Sequence, residues 1–270
     1  MKLLSINEVQ QMQLALMKEL HKFLVDNEIN YYFLGGSALG AVRHKGFIPW
    51  DDDIDIGMFR KDYEKFLTLC DRFDTKHEVI NFKKTNNSDN LLTRIYFNKT
   101  YIDNKQLRCS KLDKRLYLDI FPLDNIPDET KKQVKFEKKI NRLKRIILMI
   151  DVRIYTQSSI KFITKKMISQ ILKPFRNIIL NKGDKLLKKY KDEKTIKVAS
   201  LCSQYSFKKQ LMDKKIYGTP TLVKFEDAYF YIPEMYDEYL SQLFGEDYML
   251  VPPEEKRRKG HNIYILEEEE

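Results

Sequence analysis

The chain has 270 residues, a net charge of +10, 43% hydrophobic and 12% aromatic residues. This composition excludes the disordered and low-complexity classes, because it supplies enough apolar surface to offset the entropy of an ordered chain. Three cysteines without a CxxC pair, and no signal peptide, predict a cytoplasmic protein in a reducing compartment. No apolar run approaches the roughly 20 residues that span a bilayer, so we predict no transmembrane helix.

The positive charge is concentrated in one segment. Residues 131–191 contain 19 Lys and Arg against three acidic residues, so this segment carries +16 and the remainder of the chain carries −6. A basic module on a mildly acidic body predicts an anionic partner, and a membrane surface, a polyanionic substrate and nucleic acid are the candidates. We expect a catalytic core at 1–130, a basic helical segment at 131–195 and a C-terminal part at 196–270.

The N-terminal elements follow from periodicity and turn residues. Apolar residues at helical spacing predict a helix over 8–27 with Asn7 as its cap. Residues 29–34 are β-formers that lead into the Gly35-Gly36-Ser37 turn, and a helix follows over 38–43.

A cluster of carboxylates lies in the next predicted strand, 51–57. The period of two places Asp53 and Asp55 on one face and Ile54 and Ile56 on the other. Closely spaced carboxylates repel one another, and Mg²⁺ resolves this because it prefers a few hard oxygens together with substrate phosphates. The Gly35-Gly36-Ser37 turn complements the pair, since glycines and a helix N-terminus let backbone N–H groups approach phosphate.

Later elements supply a third acid. We expect a helix over 61–73 and strands over 78–83, 91–98 and 115–121. Asp119 lies among apolar residues of the last strand, where a carboxylate is costly unless it is paired or metal-bound, although capping of a turn is the alternative. Asp124 falls beyond Pro122 in an expected loop. Residues 131–191 have helical patterning with breaks at Pro174 and Gly183.

Two motifs carry a resemblance to a known family: YFLGGSALG at 32–40 and RHKGFIPWDDDID at 43–55. They resemble the LicD family, which includes bacterial phosphocholine transferases and, more distantly, the fukutin group. The resemblance is most specific over 31–66 and extends loosely through LDIFPLD at 118–124 and RKGH at 258–261. It implies an α+β fold: a mixed sheet flanked by helices, similar to the polymerase-β palm of nucleotidyltransferases, with a basic helical insertion.

The resemblance also implies roles for individual residues. Asp53, Asp55 and Asp119 would be catalytic and would hold Mg²⁺, with Mn²⁺ as the alternative ion. The residues that would bind or close over the substrate are Gly35, Gly36, Ser37, Arg43, His44, Lys45, Trp50, Asp52, Arg94, Arg258 and His261. For the basic residues the alternative is a solvated surface, for His261 a structural role, and for Trp50, which could stack on a base or a quaternary ammonium, a place in the core.

The implied reaction is transfer of phosphocholine from CDP-choline to a hydroxyl of a teichoic acid or other cell-surface glycan precursor, with release of CMP. Transfer of another CDP-linked group, glycerol or ribitol phosphate, and nucleotidyl transfer to a small acceptor remain alternatives. A lipid-linked acceptor would place the enzyme at the inner face of the membrane, where the basic segment would contact anionic lipid; an ordinary helical subdomain with a charged outer face is the alternative. RNA binding is disfavoured, because no RNA-binding motif is found and the acidic cluster repels phosphate.

Overall fold

The computed structural model describes residues 1–73, 76–84, 91–103, 113–150, 159–257 and 260–266. Within them the helices are α1 Ile6–Asp26, α2 Gly35–Arg43, α3 Arg60–Leu69, α4 Thr130–Ile150, α5 Ser159–Leu172, α6 Arg176–Leu187, α7 Phe207–Gln210, α8 Lys214–Tyr217 and α9 Tyr236–Phe244. The strands are β1 Lys2–Leu3, β2 Tyr32–Phe33, β3 Asp55–Phe59, β4 His77–Ile80, β5 Thr93–Phe97, β6 Thr100–Asp103, β7 Tyr117–Ile126, β8 Lys197–Ala199, β9 Met212–Asp213, β10 Thr221–Phe225, β11 Ala228–Ile232 and β12 Asn262–Ile265.

A mixed sheet forms the centre of the molecule. Its strand order is β2-β3-β7-β5-β4, and β8 and β9 extend it from the far end of β7. The pair β3 and β7 is parallel, while the other neighbours are antiparallel. Helices pack on this sheet, and a β10-β11 hairpin and a small β1-β12-β6 sheet complete the fold. The predicted α+β class, a mixed sheet with flanking helices, is confirmed.

Strand β7 is longer than predicted and contains a proline. The N–H of Asp119 donates to the Ile54 carbonyl, on the β3 side of the strand, at 3.2 Å. Because N–H groups alternate in direction along a strand, positions 120, 122 and 124 face the opposite side. On that side β5 pairs only up to Ile120 and β8 begins only at Asp124. The missing N–H of Pro122 therefore falls in the gap between two partner strands, which explains how a central strand tolerates a proline.

The prediction of a loop around Asp124 was wrong, because β7 continues past Pro122. Asp124 lies within β7, is 1% exposed and makes two hydrogen bonds, of 2.7 and 2.8 Å, with the Arg60 guanidinium. Arg60 begins α3, directly after β3. This buried ion pair ties the helix that follows one parallel strand to the neighbouring strand.

The N-terminal elements begin earlier or later than predicted. Ser5, not Asn7, caps α1: its hydroxyl accepts from the Glu8 N–H at 3.3 Å, and the Glu8 carboxylate accepts from the Ser5 N–H at 2.8 Å. Helix α2 begins at Gly35, so the glycine turn is the first turn of the helix. Asp53 precedes β3 rather than lying in it, while Ile54 and Ile56, predicted on the face opposite the acids, are fully buried.

The basic segment is helical over α4, α5 and α6. Helices α4 and α6 pack around a second hydrophobic cluster beside β7 and β8, with Ile126, Phe136 and Leu180 among its buried members. The predicted break in the helical pattern at Pro174 is confirmed, because Pro174 lies in the 3₁₀ turn between α5 and α6. The predicted break at Gly183 was wrong, because Gly183 lies within α6. A Cβ there would come within 2.7 Å of Leu91 Cδ1, so the glycine allows close packing of the helix. The boundaries 1–130, 131–195 and 196–270 stay a prediction.

A search of the described residues for helices long and apolar enough to cross a membrane found none.

Candidate active site

Two carboxylates of the predicted acidic site lie side by side on the central sheet. Asp55 opens β3 and pairs in register with Asp119 on the parallel strand β7. Asp53 lies two residues before Asp55, at the end of the loop that leads into β3. Burial and the charges of Asp53, Asp119 and Asp51 raise the pKa of the Asp55 carboxyl well above its ordinary value, although Arg94 opposes the shift. Folding thus brings all three predicted acids into electrostatic contact.

Arg94 is the cation of this cluster. Strand β5 places it opposite Asp119, and its Nε donates to Asp119 Oδ1 at 2.7 Å. The guanidinium also lies over the Tyr117 ring, 3.9 Å from the centroid. Burial alone would lower the pKa of Arg94, but the charge of Asp119 raises it further, so the guanidinium stays charged. Arg94 therefore offsets part of the negative charge and fixes the orientation of Asp119.

The first turn of α2 lies against the acids. The Ser37 hydroxyl accepts a hydrogen bond from the Asp55 N–H at 2.9 Å, which leaves its own proton available for donation. A Cβ on Gly36 would lie 2.5 Å from Asp51 Oδ2, so a larger residue there would displace that carboxylate. Backbone N–H groups in the first turn of a helix lack a helical acceptor and present partial positive charge. The turn is suited to bind a phosphate next to the carboxylates.

Gly35 is held by a residue that the sequence reasoning did not assign to the site. Its backbone has a φ of +49°, a conformation that favours glycine, and its N–H donates to the hydroxyl of Tyr239 on α9 at 3.0 Å. The ring of Tyr205 also lies beside Gly35, and it packs edge-on against Phe244. Tyr239 is 204 residues from Gly35, and nothing local in the sequence connects α9 with α2.

Helix α1 fixes the loop that carries the first acids. The Gln10 side-chain amide donates to the carbonyls of Asp51 at 2.9 Å and Ile48 at 3.3 Å. Gln13, which is fully buried, donates to the carbonyls of Tyr117 at 3.0 Å and Asp52 at 3.4 Å. These glutamines therefore bind the acidic loop and β7 to one helix. Both lie on the buried, otherwise apolar side of α1, at helical spacing from Leu14, Met17 and Leu20.

Asp52 and His261 contact each other. Asp52 is 7% exposed, and its Oδ2 accepts from the His261 N–H at 2.7 Å and lies 3.1 Å from His261 Nδ1. Burial alone would raise the pKa of Asp52, but the hydrogen bonds and charge of His261 bring it below the ordinary value. The two predicted substrate residues thus join the C-terminal segment to the acidic loop. Arg258, predicted beside them, lies outside the described residues.

The other basic candidates lie behind the acidic loop. Arg43 Nη1 donates to the carbonyls of Tyr248 at 2.8 Å and Leu250 at 3.0 Å, and its Nε lies 2.9 Å from His44 Nε2. These bonds give Arg43 a structural task in holding the C-terminal loop. Burial and the charge of Arg43 lower the pKa of His44. Lys45 is exposed, with a φ of +58°.

Trp50 is half-buried and packs against the edge of the main hydrophobic cluster. The edge of its ring meets the His44 ring, with the centroids 6.4 Å apart. The guanidinium of Arg257 lies 4.4 Å from the Trp50 centroid, so one face of the indole carries a cation supplied by the chain itself. An aromatic ring that binds one cation in this way is chemically suited to bind a quaternary ammonium.

The donor set fits a hard divalent cation. Carboxylate oxygens of Asp51, Asp52 and Asp53 lie within 4.8 Å of one another, and in the described part of the chain this is the group close enough to hold an ion. This group shares only Asp53 with the predicted metal ligands, Asp53, Asp55 and Asp119. One oxygen of Asp52 already accepts a hydrogen bond from His261. Asp55 lies in register with Asp119, and the charges of Asp51 and Asp53 act on Asp55, so these two acids adjoin the group. An all-oxygen set of this charge is the kind that Mg²⁺ or Mn²⁺ prefers.

Comparison with known proteins identifies the family. A family model described as LicD/FKTN/FKRP, nucleotidyltransferase domain, matches residues 28–147. Lipopolysaccharide cholinephosphotransferase LicD of Haemophilus influenzae is 30% identical over 277 residues, which cover 98% of this chain and 100% of the relative. An uncharacterised protein of Rickettsia typhi is 47% identical over 58 residues, 22% of this chain and 19% of its own length. Ribitol 5-phosphate transferase FKRP of Homo sapiens is 50% identical over 34 residues, 13% of this chain and 7% of its own length.

The matched residues 28–147 contain the first turn of α2 and the acids Asp53, Asp55 and Asp119, so the family match covers the centre of the site. The similarity to the Haemophilus influenzae protein spans almost the whole of both chains. The resemblance predicted from the sequence is therefore confirmed: this chain belongs to the LicD family and is a phosphotransferase enzyme.

Proposed function

We propose that the chain transfers phosphocholine from CDP-choline to a hydroxyl of a cell-surface glycan precursor and releases CMP, in a reaction that depends on Mg²⁺. The acceptor is a lipopolysaccharide or teichoic acid precursor, and a lipid-linked form of it would place the reaction at the inner face of the membrane. The proposal includes a nucleotidyltransferase-type core built on β3 and β7. Support comes from the full-length similarity to a lipopolysaccharide cholinephosphotransferase.

One observation carries the chemistry: Asp55 and Asp119 lie in register on adjacent parallel strands beside the first turn of α2. Burial, and after it the negative charges of the neighbouring acids, raise the pKa of Asp55, so its ionised form is disfavoured in the absence of a cation. Such an arrangement is costly for stability and useful for binding a metal–diphosphate complex. In the proposal Asp53, Asp55 and Asp119 hold the ion, and the bound Mg²⁺ supplies positive charge to the phosphates of the donor.

The residues of the chain then perform the other tasks. The N–H groups of Gly36 and Ser37 and the Ser37 hydroxyl donate to the phosphate oxygens, while the Gly35 N–H stays on Tyr239. Asp119 accepts or orients the acceptor's proton through Oδ2, while Arg94 holds Oδ1. The acceptor oxygen bonds to the phosphorus that carries choline, the bond from that phosphorus to the bridging oxygen breaks, and CMP leaves with that oxygen.

Trp50 is the proposed contact for the choline group. Its ring lies in the loop that carries the acids, and it already has a cation at 4.4 Å in Arg257. A quaternary ammonium binds the face of an indole through the same electrostatic attraction. Replacement of Trp50 by Leu should therefore weaken binding of CDP-choline and leave binding of CDP-glycerol unchanged.

The first experiment is titration calorimetry of the purified chain with CDP-choline, CDP-glycerol and CDP-ribitol, with MgCl₂ or with EDTA. We expect Mg²⁺-dependent binding that favours CDP-choline, followed by CMP in mass spectra when acceptor is added. Asp55→Asn should lose the Mg²⁺-dependent binding, and the exposed Asp227→Asn, whose carboxylate pairs with Lys18, is the matched control. Absence of binding by any cytidine nucleotide would refute the proposal.

A second candidate donor has its own observation. The 34-residue match to a ribitol 5-phosphate transferase favours a CDP-linked ribitol phosphate as the alternative. The same titration distinguishes the two, because a preference for CDP-ribitol would replace choline in the proposal. Nucleotidyl transfer is distinguished by its product, since the acceptor would gain the mass of a nucleoside monophosphate and no CMP would be released.

A further inference from the structure

Helix α5 presents its apolar side to solvent. Its exposed residues Ile163, Met167 and Ile171 recur every fourth position and are 54%, 59% and 66% exposed. Such residues lie on one side of a helix with 3.6 residues per turn. The apolar side continues through the 3₁₀ turn and α6 with Phe175 and Ile178, both 53% exposed. We call these five residues the outer ridge.

The opposite side of α5 faces the protein and is partly polar. Ser169 lies nearly 180° around the helix from the outer ridge and is 1% exposed. Its hydroxyl donates to the carbonyl of Ile150 at the end of α4 at 2.7 Å. A surface helix of a globular protein buries its apolar stripe and exposes its polar one. In α5 the half-buried Phe162 and Leu172 lie on the Ser169 side, yet the apolar side chains of the outer ridge stay exposed, so the packing of the described residues does not account for the outer ridge.

The surface around the outer ridge is strongly basic. Residues 159–187 contain seven Lys and Arg and one acidic residue, Asp184. Asp184 is itself paired with Lys188 at 3.1 Å and Lys83 at 3.4 Å. Lys166 and Lys173 of this region are exposed. An apolar stripe with lysines beside it is the pattern of helices that lie in a membrane interface.

We propose that the outer ridge docks on an anionic lipid bilayer, with its apolar side chains among the acyl-chain ends and the neighbouring lysines at the phosphate headgroups. Charge complementarity selects this occupant. A second copy of the chain would bring the same positive charge to the contact and be repelled, whereas acidic lipid neutralises it. The docking surface is independent of the chemistry at the acidic site, so a different donor or acceptor would leave it unchanged.

Vesicle co-sedimentation tests the proposal with the full chain. We expect binding to vesicles of equal parts phosphatidylcholine and phosphatidylglycerol, and little binding to phosphatidylcholine alone. Ile171→Asn combined with Phe175→Ser should lower the partition coefficient roughly tenfold. Lys166→Gln combined with Lys173→Gln should lower it by a similar factor and weaken its dependence on salt. Leu222→Asn, at an equally exposed (53%) position on the β10-β11 hairpin, is the control and should bind as the wild type does.

Two outcomes would overturn the proposal. One is binding that is unchanged in the Ile171→Asn, Phe175→Ser variant, which would assign the affinity to another surface. The other is a wild-type dimer in sedimentation equilibrium that this variant converts to a monomer, without binding of either protein to vesicles. That result would assign the outer ridge to a second copy. The substituted side chains are exposed, so thermal unfolding should confirm that each variant folds as the wild type does.

Discussion

The buried Arg60–Asp124 pair offers the sharpest test of how the core is held together. The two side chains are 8% and 2% exposed and share two hydrogen bonds. Asp124→Leu would leave the Arg60 guanidinium buried without its partner, because burial keeps water from replacing the lost carboxylate. Removing one member of a buried pair costs about 3–5 kcal/mol of unfolding free energy. For a chain of this size the loss corresponds to a fall in the melting temperature of roughly 10 °C.

The companion variant separates the pair's net value from the cost of breaking it. Burial raises the pKa of Asp124 even though Arg60 lies beside it, so the attraction does not fully compensate the desolvation of the carboxylate. Replacing both side chains by apolar ones, Arg60→Met with Asp124→Leu, should therefore restore the stability to within about 1–2 kcal/mol of the wild type. Urea unfolding of the wild type, both single variants and the double variant measures the coupling directly.

A surface pair provides the control. Lys18 and Asp227 are bonded at 2.7 Å but are 41% and 70% exposed, and Asp227→Asn should change the unfolding free energy by less than about 0.5 kcal/mol. If Asp124→Leu cost as little as this control, burial of the pair would not determine its contribution. A double variant no more stable than the single one would show instead that the shape of the ion pair, rather than its charge, is what β7 requires.

Three further predictions concern the site. Asp55→Asn should abolish CMP release. Because the pKa of Asp55 is raised in the fold, this variant should be at least as stable as the wild type at neutral pH without metal. In thermal scans this difference in stability should shrink as the pH falls toward the ordinary pKa of 3.8. Tyr239→Phe should remove the acceptor of the Gly35 N–H, costing about 1 kcal/mol in urea unfolding and lowering the rate of CMP release roughly tenfold, whereas an unchanged rate would exclude a positioning role. His261→Ala should destabilise the chain by about 1 kcal/mol at neutral pH. Since the pKa of Asp52 is lowered by His261, that difference should disappear as the pH falls below 3.8, and a pH-independent difference would contradict the assignment.

Local patterns predicted the parts of the site that are close in sequence. The alternation at 53–56 placed Ile54 and Ile56 on the face opposite the acids, and both are fully buried; the apolar context of Asp119 correctly placed it on a strand. That Asp55 and Asp119 are direct neighbours could not be read from the chain, because it depends on parallel pairing between segments more than 60 residues apart. Asp124 shows the same limit: a proline nearby indicates a loop unless the gap between β5 and β8 is known.

Residues that act at a distance were the hardest to assign. Gln10 and Gln13 are polar residues on the otherwise apolar side of α1, and only the folded chain shows that they bind the acidic loop. Asp52 and His261 were both identified from family motifs, but the contact between them was not, since it has no signature in either segment. The basic segment was correctly predicted as helical, yet which side of α5 faces the protein depends on its packing against α4.

The Asp52–His261 contact also has a consequence for the order in which the enzyme matures during its synthesis. The two residues are 209 positions apart, and β12, which carries His261 to the acidic loop, completes its sheet by pairing with β1 and β6. A ribosome therefore releases β3, α2 and β7 long before the segment that fastens the acidic loop has been made. Contacts of such separation form late because the intervening chain must be ordered first. The nascent polypeptide would hold the acidic loop through Gln10 and Gln13 of α1 but not yet through His261, and catalytic competence would begin only when the last strand is in place.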